Sequence, residues 1–145
     1  MFVPGGNTVA ALAVWRAYSV EHTLRAVWES GGILAGWSAG ALCWFTSGLT
    51  DSLAPGELLP YRDALGFLPG SMCPHFDNDD RRRLYREQVA AGTLPDGIGV
   101  DEGAAAHFVG TELVAVVTTK DGNSAHRVAR HGPVADVETI APTKL

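Results

Sequence analysis

The chain has 145 residues, 46% hydrophobic and 19% charged, with 11 basic against 16 acidic side chains and a net charge of -5, which fits a single ordinary soluble domain. The acidic balance and the lack of a long basic tract argue against a nucleic-acid or anionic-membrane surface, since neither phosphate field would be neutralised. The longest apolar runs are too short to span a bilayer, and the N-terminus lacks a charged stretch followed by an apolar one, so a cytoplasmic location and a small-molecule or peptide partner are expected.

The start is abrupt, because Met1-Phe2-Val3-Pro4 enters directly into a Gly5-Gly6 turn with no room for a preceding strand. Apolar residues then recur at helical spacing through Val9, Leu12 and Ala13 and again through Val20, Leu24, Val27 and Trp28. This predicts two helices broken near Tyr18-Ser19, the first capped by Asn7 or Thr8. Ile33 to Trp37 is a short apolar run of the kind a buried parallel strand shows. Ser38-Ala39-Gly40 and a helical segment from Ala41 to Phe45 follow it. From Ser47 to Pro74, scattered prolines and glycines favour extended segments and loops, with a strand at Leu65 to Leu68.

Asp77 to Asp80 leads into a helix through Arg81 and Val89, whose N-terminal acids suit the helix dipole and which stops near Gly92. Five short strands are predicted beyond it, at Gly97 to Asp101, Ala104 to Val109, Leu113 to Thr119, Ala125 to Ala129 and Val134 to Ile140. Cys43 and Cys73 stand in apolar settings without metal-type spacing, so both are expected to be reduced and buried, with no metal and no cofactor.

Gly36-Trp37-Ser38-Ala39-Gly40 matches the G-x-S-x-G pattern between a predicted strand and a predicted helix. Small neighbours allow the close strand–helix approach that holds a strained serine, and the following helix N-terminus offers backbone N–H groups to an oxyanion. The plainer alternative is a tight strand–helix turn. Among five histidines, His22, His107, His126 and His131 read as surface or packing residues. His75 stands at a strand end before the acidic loop, where open α/β sheets place their sites. Asp101 and Glu102 end a further apolar strand. Adjacent residues there point apart, so at most one faces His75.

Gly5-Gly6-Asn7 offers oxyanion N–H groups or a helix cap. Asp51 is a candidate orienting acid. The arginines at 81, 82, 83 and 86 read mainly as a solvated face with pairs such as Arg83 and Glu87, from which one guanidinium could turn to a substrate carboxylate.

Taken together, Phe2-Val3-Pro4-Gly5-Gly6-Asn7-Thr8, Gly36-Trp37-Ser38-Ala39-Gly40-Ala41, Thr50-Asp51-Ser52, Cys73-Pro74-His75-Phe76-Asp77 and Val100-Asp101-Glu102-Gly103 resemble the peptidase E (S51) family of serine peptidases, which includes cyanophycinase. The resemblance implies a flavodoxin-like, class I glutamine amidotransferase-like α/β fold, with a mostly parallel sheet flanked by helices and a β-rich C-terminal portion. It implies Ser38 as nucleophile, His75 as general base and then acid, and Glu102 as orienting acid, with Asp101 the runner-up. Gly6 and Ala39, with Gly5, would form the oxyanion hole, and Asp51 matches a functionally important aspartate. Arg81, then Arg82, would bind the acidic end of a short peptide with N-terminal aspartate.

Family members carry further βα units before the Gly-Gly-Asn-Thr segment. Residues 1–145 are therefore expected to form a single partial domain, shortened at its N-terminus or completed by a homo-oligomer that covers the sheet edge. Two rival readings follow. An α/β-hydrolase esterase would place its acid before a late histidine, against the order serine, histidine, acid found here. A truncated, inactive peptidase-like remnant would act as an interaction module.

Overall fold

The computed structural model describes residues 1–144. Its elements are β1 (Phe2–Val3), α1 (Thr8–Ala17), α2 (Val20–Glu29), β2 (Ala35–Gly36), α3 (Ala39–Leu42), β3 (Phe45–Ala54), β4 (Glu57–Tyr61) and β5 (Leu68–Pro74). They continue as α4 (Asp79–Ala90), β6 (Gly97–Val100), β7 (Ala104–Val109), β8 (Glu112–Thr118), β9 (Ala125–His131), β10 (Val134–Ile140) and β11 (Thr143–Lys144).

The strands form a six-stranded sheet ordered β10-β9-β6-β5-β3-β4, a pair β1-β2 and a three-stranded sheet β11-β8-β7. In the large sheet, β3, β5 and β6 are parallel, whereas β4, β9 and β10 join antiparallel. The fold is thus mixed α/β, with parallel strands at the centre of the sheet and hairpin-type strands outside, rather than a mostly parallel sheet throughout.

Strand alternation divides the core. Met72 and Cys73 are neighbours on β5, yet Met72 packs with Leu12, Leu24 and Leu42, and Cys73 with Phe76, Tyr85 and Val89. Residues of α1, α2 and α3 therefore pack with one side of the sheet and residues of α4 with the other. The longer helices begin where the sequence supplies caps. Asn7 Oδ1 accepts from Ala10 N at 2.8 Å, and Asn78 Oδ1 accepts from Arg81 N at 3.1 Å, each satisfying a backbone donor that the first turn leaves free. Ser19, at φ 55°, breaks α1 from α2.

Several expectations are corrected. Phe2 and Val3 do form a strand before the glycine turn, pairing in parallel with Ala35 and Gly36. Of the run Ile33 to Trp37, only those two residues pair, and Ile33 is 81% exposed. The helix after Ser38 ends at Leu42, and Phe45 opens β3 instead of closing a helix. Leu65 to Phe67 are irregular, with Leu65 N donating to Cys43 O, and the strand begins at Leu68. Among the described residues, no helix is long and apolar enough to cross a membrane.

Both cysteines are free and buried. Loss of water around the sulfur pushes each thiol up from about 9 to about 12.

Candidate active site

Ser38 follows β2 directly and holds φ 52° and ψ -118°. This is a region in which a side chain is strained. The turn is possible because Gly36 and Gly40 lack side chains. A Cβ on Gly36 would collide with the carbonyl of Gly40, and one on Gly40 with that of Val3. Backbone bonds from Ala41 N and Leu42 N to Ser38 O then start α3. The serine is consequently presented at the tip of a compressed strand–helix turn.

His75 also has positive φ, at 56°. Pro74 ends β5 before it, and buried Phe76 anchors the chain after it. Phe76 N donates to Val100 O at 3.0 Å, and the Phe76 ring occupies the space where a side chain at Gly99 would lie. With both neighbours fixed, the imidazole turns outward to Ser38. His75 Nε2 lies 3.0 Å from Ser38 Oγ, and His75 Nδ1 lies 3.1 Å from Glu102 Oε1. A carboxylate accepts only, so Nδ1–H donates to Glu102 and Nε2 accepts the serine hydroxyl proton.

The two adjacent acids separate as the strand geometry requires. Asp101 is 5% exposed. Its Oδ2 accepts from Ser124 N at 2.9 Å and lies 2.8 Å from His126 Nε2. Glu102, whose side chain is 57% exposed, is the acid that meets His75. Asp101 is therefore not placed as the runner-up reading would have it. His126 is buried, and its Nδ1 lies 3.0 Å from Thr139 Oγ1, whereas His131 pairs with Asp136 at the exposed end of β9.

An open cleft of about 480 Å³ is lined by His75, Asp77, Asn78, Arg81 and Glu102. Arg81 reaches Asp51 Oδ2 at 2.9 Å. Asp51 thus touches the arginine and lies outside the serine–histidine–glutamate chain. Arg82 turns away from the cleft. Its Nε donates to Phe76 O at 3.1 Å, its guanidinium sits 4.9 Å from the centre of the Phe76 ring, and one nitrogen lies 3.8 Å from Asp101. Arg83 pairs with Glu87 across one helical turn.

Gly5 and Gly6, with Ala39 and Gly40, line a smaller apolar hollow of about 210 Å³ that also involves Trp15 and Cys43. A Cβ on Gly5 would approach Ser38 Cβ to 3.3 Å, so the glycine turn runs directly beside the serine. Asn7 Nδ2 donates to Ser52 O, and Thr8 N donates to Ser52 Oγ at 2.9 Å. These bonds tie the Gly-Gly-Asn-Thr and Thr-Asp-Ser segments together. Sequence reasoning assigned no role to Asn78 or Asn123, read His126 only as a surface or packing residue, and gave Asp77 no role beyond its place in a motif and a helix start. Only Asp77 carried a usable signal, its position two residues after His75.

The sequence profile of Peptidase family S51 matches residues 1–116. The chain belongs to this family. It is 43% identical over 129 residues to the peptidase YgaJ of Bacillus subtilis, covering 88% of this chain and 55% of the relative. It is 34% identical over 116 residues to a cyanophycinase of Synechococcus elongatus, covering 74% of this chain and 35% of the relative. With the Peptidase E of Shewanella denitrificans the identity is 29% over 143 residues, 93% of this chain and 60% of the relative. The chain spans about half the length of the curated relatives it matches.

Proposed function

We propose that the chain carries the catalytic centre of a serine exopeptidase that hydrolyses short peptides by acyl transfer. The observation that carries this reading is the chain of contacts from Ser38 Oγ to His75 Nε2 and from His75 Nδ1 to Glu102. Family membership supports it. Ser38 attacks the scissile carbonyl while His75 removes its proton, and Glu102 fixes the imidazole tautomer and stabilises the imidazolium. Backbone N–H groups of Gly6 and Ala39, with Gly5, receive the oxyanion. His75 then donates its proton to the leaving amine, and water, deprotonated by the same imidazole, releases the acyl group.

Arg81 in the cleft favours a substrate carboxylate, and a peptide with N-terminal aspartate is the substrate class we infer. Asp51 holds that guanidinium when substrate is absent. The parallel centre of the large sheet is compatible with a flavodoxin-like, class I glutamine amidotransferase-like arrangement. The decisive experiment is Ser38→Ala together with labelling by a serine-directed phosphonate. Loss of both Asp-Xaa hydrolysis and labelling is expected, and hydrolysis that survives the change would refute the mechanism.

A further inference from the structure

Glu102 must hold its carboxylate against His75 although its side chain is more than half exposed. An exposed glutamate retains most of its rotamer freedom, so packing does not fix it. Its backbone is fixed instead. Asp77 Oδ1 accepts from Glu102 N at 3.0 Å, and Asn123 Nδ2 donates to Glu102 O at 2.8 Å. Both polar groups of this one peptide residue are thus held by side chains from other segments.

Asp77 lies two residues beyond His75, on the far side of the Phe76 anchor. It makes no ion pair among the described residues, and the capping of α4 is done by Asn78. Asp77 and Glu102 line the same cleft. The donor that the Asp77 carboxylate meets there is the Glu102 N–H, and a charged acceptor strengthens that bond.

We propose that Asp77 is a positioning residue that locks the Glu102 turn to the His75 loop and so sets the His75–Glu102 geometry. The proposal rests on the reading of Ser38, His75 and Glu102 as a catalytic relay. Together with the Phe76 N to Val100 O bond, Asp77 provides the second of two ties between the loops. The first fixes their approach and the second fixes their rotation.

The test compares the full chain as wild type, Asp77→Ala, Asp77→Asn and Ser38→Ala, each checked for folding by circular dichroism. The readouts are kcat and KM on an Asp-Xaa dipeptide and the proton NMR signal of His75 Nδ1–H, assigned with His75→Gln. Asp77→Ala should lower kcat on the order of 10- to 100-fold, the cost of about an ångström of misplacement, with KM little changed and the Nδ1–H signal lost. Asp77→Asn keeps an acceptor oxygen and should restore most of both. An alanine variant with wild-type signal and kcat, or an asparagine variant as impaired as the alanine, would overturn the proposal. So would a wild-type chain without the signal. If Asp77→Ala does not fold, loss of the signal in Asp77→Asn overturns it alone. Ser38→Ala retaining full hydrolysis would instead sink the peptidase reading, with the NMR signal still judging Asp77.

Discussion

Asp101 and Glu102 are consecutive, yet one accepts from a buried histidine and a backbone amide while the other meets the half-buried imidazole of His75. The end of β6 thereby supplies an anchor and a site residue from adjacent positions. Removing the anchor should be a stability change first. Asp101→Ala leaves the Ser124 N–H and His126 without their acceptor, at about 1–3 kcal/mol for an unsatisfied buried group. Chemical denaturation should show that loss. A variant as stable as wild type would show that the buried pair does not hold the turn.

The strained backbone of Ser38 predicts an inverse result. Conformations of this kind cost on the order of 1–3 kcal/mol, and glycine removes most of that cost. Ser38→Gly should therefore melt higher than Ser38→Ala while both lack hydrolysis. Equal melting temperatures would mean that the turn is unstrained.

Gly40 faces the opposite demand. A methyl group there meets the carbonyls of Val3 and Pro4, so Gly40→Ala should destabilise by about 1–3 kcal/mol, the usual range for overpacking. It should also reduce phosphonate labelling of Ser38, because relief of the clash moves the turn.

The buried thiols make a pH prediction. Their folded values near 12 exceed those of the unfolded chain near 9, so the folded state binds the thiol protons more tightly. The resulting stabilisation is complete below pH 9 and is lost as pH rises toward 12, by up to about 1.4 kcal/mol per pH unit for each thiol. Denaturation midpoints at pH 8 and pH 10.5, for wild type and Cys43→Ala/Cys73→Ala, should differ in slope. Identical slopes would contradict this. Neither thiol should react with a disulfide reagent in the native state at neutral pH.

Arg81→Ala tests substrate choice. Loss of a charge-assisted bond of about 1.5–3 kcal/mol should raise KM for Asp-Xaa peptides roughly 10- to 100-fold and leave Ala-Xaa peptides nearly unchanged. A uniform effect on both would remove Arg81 from specificity.

Local signals in the sequence were strong wherever one residue type is required. The serine turn, the cap at Asn7 and the break at Ser19 are written in glycine, asparagine and helical spacing, and the late strands in alternation and turn residues. What could not be read was decided at a distance. Whether Asp101 or Glu102 meets His75 depends on β9, which pairs beside β6 and sets His126 against Asp101. That Arg82 lies over Phe76 while Arg81 enters the cleft depends on how α4 packs against the sheet. The short reach of α3 also escaped, since Cys43 to Phe45 satisfy helical spacing as well as they satisfy a strand.

Ser38 follows the small β1-β2 pair, whereas His75 and Glu102 sit at the ends of strands in the six-stranded sheet. No backbone ladder joins the two sheets among the described residues. The nucleophile and its base therefore hang from separate backbone ladders, joined by side-chain packing and by the bonds of Asn7 and Thr8 to Ser52. Native-state hydrogen exchange should find the amides of Val3, Ala35 and Trp37 opening at lower free energy than those of Met72 and Ile98. Loss of Ser38 reactivity would then report a local opening that leaves the rest of the molecule folded.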